Sequence, residues 1–170
     1  MNNGSFFTPL FEPRTIAFIG ASTHPAKWGF NILHHLIKGG YAGAVYPINA
    51  QGGTWFGRSM FKSLADIPRP VDLAIIVVPK ETVAATLRHC AAAGIRAAVI
   101  ITAGFGETGA EGKVLEQEVL SVAREGGIRL VGPNTMGVYS AYPSCMRAVM
   151  AVTEFKQGSV ALISQSGNLG

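Results

Sequence analysis

Along this 170-residue chain, short and mostly apolar runs stop at glycine or proline and give way to helix-patterned sequence, and the cycle repeats. The runs are residues 15–19, 44–48, 71–79, 97–102 and 128–131. They are short for helices and show no strict polar–apolar alternation, so they read as strands covered on both faces. Between them, Ile32, Leu33, Leu36 and Ile37 fall on one helical face, as do Val83, Leu87 and Cys90, and then Leu115, Val119, Val122 and Ala123. Gly39-Gly40, Gly94 and Gly126-Gly127 stand where those helices should end. Strand, helix, strand in strict rotation requires crossover connections and therefore parallel pairing. The expected fold is α/β, a Rossmann-like doubly wound parallel sheet, with its ligand beyond the strand C-termini at the point where strand order reverses. An apolar content of 48% against 14% charged residues suits a sheet buried on both sides.

Outside this rotation, residues 1–10 read as a loose arm and residues 63–66 as a short helical turn. Residues 51–59 read as a polar loop holding Trp55 and Phe56, and residues 138–157 as irregular. Residues 159–163 start a further strand, followed by the turn Ser164-Gln165-Ser166-Gly167. The expected organisation is one domain over residues 1–152, with residues 153–170 as the truncated start of a second α/β domain in a longer polypeptide.

The first strand-to-helix junction carries the chemistry. Gly20-Ala21-Ser22 brings backbone N–H groups close to whatever sits above the strand. Pro25 is expected at the first helical position, with Ser22 or Thr23 as the cap. A helix N-terminus favours an anion by roughly 0.3–1 kcal/mol when exposed. Lys27 opposes the helix dipole there, so two readings stand: a phosphate held by the amides and Lys27, or a solvated lysine on an ordinary turn.

Several classes are set aside. The net charge of +4 comes from Lys and Arg scattered singly, without the basic run or stripe that nucleic acid requires. The apolar runs are far shorter than a membrane span, and residues 1–9 lack the basic and apolar regions of a signal peptide. Cys90 and Cys145 have no metal or redox spacing, and reduced thiols in a cytoplasmic protein are expected. His34, His35 and His89 read as packing or surface residues. His24 lies in the turn without a carboxylate neighbour in sequence. A dinucleotide would require G-x-G-x-x-G and, about 20 residues on, an acid for the ribose; Gly20 is followed only by the distant Gly29, and Pro47-Ile48-Asn49 stands at the acid's place.

Gly20-Ala21-Ser22 with Pro25, Lys27 and Gly29, then residues 45–49 and 71–79, Thr102-Ala103-Gly104-Phe105, Gly132-Pro133-Asn134 and residues 163–167 together resemble the NDP-forming acyl-CoA synthetases, relatives of the succinyl-CoA synthetase alpha subunit. The likeness runs from about residue 10 to the last residue. It implies a coenzyme A-binding domain at the N-terminus of a ligase that interconverts acyl-CoA, NDP and phosphate with acid, coenzyme A and NTP through an acyl phosphate and a phosphohistidine. By this resemblance Gly20, Ala21, Ser22 and Lys27 hold coenzyme A phosphates, and Pro47 and Asn49 border the adenosine. Val78, Pro79, Thr102, Ala103 and Gly104 line the path of the pantetheine arm, and Asn134 belongs to the same binding set. Ser164, Gln165, Ser166 and Gly167 form the phosphate loop of a succinyl-CoA synthetase-like, flavodoxin-type second domain. No catalytic residue or metal ligand is expected in this chain; ATP or ADP would act only through domains or a beta subunit beyond it.

Two positions depart from the family pattern. Thr135 stands where a cysteine often follows Gly-Pro-Asn, which puts only that side chain's role in question. Asn49-Ala50-Gln51 replaces a basic residue common in the succinyl-CoA branch, leaving the 3′-phosphate contact to Lys27 or Arg58. A stand-alone coenzyme A sensor, the synthetase-like part of a protein lysine acetyltransferase, and an NAD-binding regulator are the competing readings. The missing acid weighs against the last.

Overall fold

The computed structural model describes residues 7–67, 70–141, 144–150 and 158–166. Five strands form one parallel sheet: β1 (Thr15–Ile19), β2 (Ala44–Ile48), β5 (Leu73–Ile76), β6 (Ala97–Ile100) and β7 (Arg129–Val131), in the order β2-β1-β5-β6-β7. The doubly wound parallel sheet expected from the sequence is thus present. Its strand order reverses between β1 and β5, which fixes the switch point there.

Side chains alternate strictly across the sheet. Ile16, Phe18, Leu73, Ile75, Ala97 and Val99 face one layer, whereas Ala17, Ile19, Ala74, Ile76, Ala98 and Ile100 face the other. In register, Ala17, Ala74 and Ala98 form a row of methyl groups across three strands. That shallow row lets α3 (Lys80–Ala92) and α4 (Ala110–Glu125) approach through Val83, Leu87, Val119 and Val122. On the opposite layer lie α2 (Trp28–Lys38), which contributes Ile32, Leu33 and Leu36, and a hairpin of β8 (Gly137–Ser140) and β9 (Met146–Val149), which contributes Val138, Met146 and Ala148. Phe18 lies fully buried between them, and burial of such a side chain stabilises by roughly 1.5–3 kcal/mol.

Several expectations are corrected. The hairpin β8–β9 occupies part of the stretch read as irregular, because Val138, Met146 and Ala148 supply a buried face with period two. The loop around Trp55 contains a second, smaller hairpin, β3 (Thr54–Trp55) with β4 (Arg58–Ser59), while a four-residue helix α1 (Thr8–Phe11) precedes β1. Residues 158–166 do not pair as a strand, and Val160, Leu162 and Ile163 are exposed. A strand requires a neighbouring ladder, and no described strand lies alongside these residues. Helix α2 begins at Trp28, not at Pro25. His24 closes a turn ahead of it, its carbonyl accepting from Lys27 N–H at 3.0 Å and its Nδ1 from Ala26 N–H at 3.2 Å.

The edge strand β2 carries Pro47 next to its C-terminal residue. Beyond it Phe61 forms a single parallel bridge with Ile48, donating to Pro47 O at 2.8 Å and accepting from Asn49 N–H at 2.9 Å. The chain segment after the small hairpin is therefore tied beside the C-terminal end of β2.

Candidate functional site

The loops after β1, β2, β5, β6 and β7 line two neighbouring clefts at the C-terminal edge of the sheet, on either side of Val78. The turn after β1 passes so close to the end of β5 that a Cβ on Gly20 would lie 2.2 Å from Val77 O, and Gly20 has φ +97°. Only glycine satisfies both conditions. The N-terminus of α2 is seated just as tightly: a Cβ on Gly29 would lie 2.1 Å from Gly20 O. Gly29 thus serves helix–strand packing at a spacing outside the familiar dinucleotide pattern.

The turn is held by β2. Gly20 N–H and Ala21 N–H both donate to Ile48 O at 3.0 Å, and Asn49 Nδ2 donates to Ala21 O at 2.8 Å while Asn49 Oδ1 accepts from Gln51 N–H at 2.8 Å. Gly20 and Ala21 therefore shape the turn with their amides already engaged. Ser22 Oγ accepts from His24 N–H at 3.1 Å, capping the turn and not the helix. Among the described residues, the amides of Ser22, Thr23, Trp28 and Gly29 have no hydrogen-bond acceptor. Helix α2 has neither a side-chain cap nor an acidic residue in its first turn. Such an end leaves its N–H groups and its partial positive charge open to an anion.

Two clefts flank Val78. One, of about 850 Å3, lies between the end of β2 and helix α3, and includes Gly20, Asn49, Lys62, Pro79, Thr82 and His89 in its walls. The other, of about 620 Å3, lies over β5 and β6 and includes Trp28, Thr102, Ala103, Asn134, Gln165 and Ser166. Hydrogen bonds tie the loops of the second cleft together: Thr102 Oγ1 donates to Val78 O at 2.6 Å, and Asn134 N–H donates to Thr102 O at 2.9 Å. Gly104 stands just outside, its N–H donating to Glu107 Oε1. Partial desolvation tends to raise the Glu107 carboxyl, but the amides of Gly104, Glu107 and Phe105 and the charge of Lys80 outweigh it and hold the group below its ordinary value.

The sequence-derived set divides accordingly. Gly20, Asn49, Val78 and Pro79 line the larger cleft, and Val78, Thr102, Ala103, Asn134, Gln165 and Ser166 the smaller. Ala21, Ser22, Lys27, Pro47, Gly104 and Ser164 line neither, and Gly167 lies outside the described residues. Lys27 is the exposed N-cap residue of α2. Sequence reasoning missed Trp28, Lys62 and Met136 as wall residues, and gave His89 no ligand role. Thr82, Thr86 and His89 share one helical face by their spacing, a signal that could have pointed to the larger cleft. Among the described residues there is no cluster of His, Cys, Asp or Glu fit to hold a metal, and no helix long and apolar enough to cross a membrane.

Residues 14–141 match a family profile described as a CoA binding domain. Over 165 residues the chain is 44% identical to the alpha subunit of acetate–CoA ligase [ADP-forming] I from Pyrococcus furiosus, a match covering 95% of this chain and 36% of that protein. Among solved structures, PH0766 from Pyrococcus horikoshii OT3 superposes with a TM-score of 0.89 at 45% identity, covering 96% of this chain and 37% of the other. The dinucleotide-forming acetyl-coenzyme A synthetase 1 of Ca. Korarchaeum cryptofilum, in complex with phosphate and ADP, superposes with a TM-score of 0.89 at 39% identity, covering 96% and 34%. The chain spans little more than a third of the length of these relatives.

Proposed function

Because the chain belongs to the CoA binding domain family, we propose that it holds coenzyme A across the two clefts, as the N-terminal domain of an ADP-forming acyl-CoA synthetase. The observation that carries this reading is the uncapped start of α2 opposite Gly20, with open amides at Ser22, Thr23, Trp28 and Gly29, set at the switch point of the sheet. A pyrophosphate fits that end by charge and by hydrogen bonding. The larger cleft, with Ile19, Ile48, Leu64 and Val78 in its walls, offers apolar surface for an adenine. The smaller cleft takes the pantetheine arm toward Gln165 and Ser166.

The same geometry disfavours NAD. Asn49 occupies the place of the ribose-binding acid, and both ends of its amide are committed to Ala21 and Gln51. What these residues contribute to a ligase is positioning: the coenzyme brings its own thiol, which must be presented to an acyl phosphate formed elsewhere in the parent protein. Isothermal calorimetry on the chain tests the reading. Binding of coenzyme A in clear preference to NAD is expected; equal or tighter binding of NAD overturns it.

A further inference from the structure

We infer that Lys62 is the residue that reads the 3′-phosphate of coenzyme A, a role that rests on the coenzyme A reading above and deepens it. The basic residue common after the second strand in the succinyl-CoA branch is absent here, and Asn49-Ala50-Gln51 takes its place. Neither substitute expected from the sequence lines the clefts: Lys27 is the N-cap of α2 and Arg58 lies on the small hairpin, and both are missing from the walls of either cleft, whereas Lys62, exposed as they are, is a wall residue of the larger one. Among the described wall residues of the two clefts, Lys62 is the only lysine or arginine.

Its place is fixed by the backbone. The bridge between Phe61 and Ile48 brings Lys62 beside Asn49, and the Lys62 stem lies along Gly52, where an added Cβ would meet its Cε at 3.4 Å and its Cγ at 3.6 Å. The charge therefore arrives from the segment after the hairpin and not from the loop directly after β2. The hydroxyl next to it is already used, since Ser63 N–H and Ser63 Oγ both donate to Asp66 Oδ2, at 2.9 and 3.0 Å. A phosphate in this part of the cleft thus meets an ammonium with three free-turning donors, and a point charge of that kind suits a terminal phosphate monoester on a ribose. On the 5′ side of the same ribose the pyrophosphate is left to the open amides of α2, so the two phosphate groups are recognised by different means.

The test compares coenzyme A with dephospho-coenzyme A by calorimetry on the wild-type chain, Lys62→Ala and Lys62→Arg. The wild-type chain is expected to bind coenzyme A more tightly than dephospho-coenzyme A. Lys62→Ala should weaken coenzyme A roughly 10–100-fold and change dephospho-coenzyme A less than about twofold, erasing the preference. Lys62→Arg should retain most of the preference. Equal weakening of both compounds by Lys62→Ala, or none, overturns the assignment while leaving the coenzyme A reading intact. A wild-type chain that binds neither compound overturns both.

Discussion

The seat of α2 on Gly20 makes Gly29→Ala the most informative substitution. By helix propensity alone, alanine in the first turn of a helix should stabilise by at most about 0.8–1 kcal/mol, the gain at an interior position. The structure reverses the sign. The new methyl would lie 2.1 Å from Gly20 O, in a turn whose N–H is bonded to Ile48 O and whose Cα abuts Val77 O, so the start of α2 must retreat by about 1 Å. Overpacking against an unyielding neighbour costs about 1–3 kcal/mol. Set against the propensity gain, a net loss of up to about 2 kcal/mol remains, which in a chain of this size lowers Tm by up to roughly 8 °C. The retreat also draws the open amides of Trp28 and Gly29 away from the turn, so coenzyme A affinity should fall about tenfold or more. Thermal unfolding followed by circular dichroism, with calorimetry on the folded variant, reads both effects. Gly127→Ala is the control: it is strained at φ +63° but has nothing within 4 Å, so it should lower Tm without altering affinity. A Gly29→Ala chain as stable as wild type, with unchanged affinity, refutes the close-seating argument.

Two other outcomes follow from the same geometry. Asn49→Ala removes the donor to Ala21 O and the acceptor for Gln51 N–H; urea unfolding should show a loss of about 1–3 kcal/mol, with weakened coenzyme A binding because the phosphate turn loosens. Glu107 has a folded-state pKa below its ordinary value, so its small, largely solvent-screened contribution is present above the ordinary carboxylate range and is lost as pH falls through the lowered value. Hydrogen exchange at Gly104 should therefore accelerate in acid in the wild-type chain, and be fast and less pH-sensitive beyond the intrinsic exchange trend in Glu107→Gln.

Much of the scaffold was legible because its signals are local. Ile16 to Ile19 and Leu73 to Ile76 are apolar in every position and end in glycine or proline, and α2 and α4 each close on a double glycine. Strand order was not legible: nothing in residues 73–76 says that they lie beside β1, since that follows from which crossovers pack together. The hairpins were hidden by brevity. Two-residue strands around Gly57 give no periodicity, and the alternation of Met146 to Val149 is too short to stand out. At the site, Gly20 is legible as the turn after β1, whereas Asn49 enters only through the family resemblance; both lie in the walls of the larger cleft. Lys27 was judged by its place in sequence, yet a turn at His24 moves the helix start and makes it the exposed N-cap. Lys62 carries no motif at all, and only the bridge at Phe61 reveals where it lies.

That bridge and Pro47 also determine how the sheet ends. An outer strand normally offers a row of unpaired amides and carbonyls to any other chain, which is a route to aggregation. On β2 the proline has no N–H to offer, and Phe61 already takes Pro47 O and engages Asn49 N–H, so the C-terminal half of that margin is closed from within. The far margin, β7, is only three residues long. On the β2 side, therefore, a second copy finds little backbone to zip onto, and the segment that closes this margin is the same one that delivers Lys62 to the cleft.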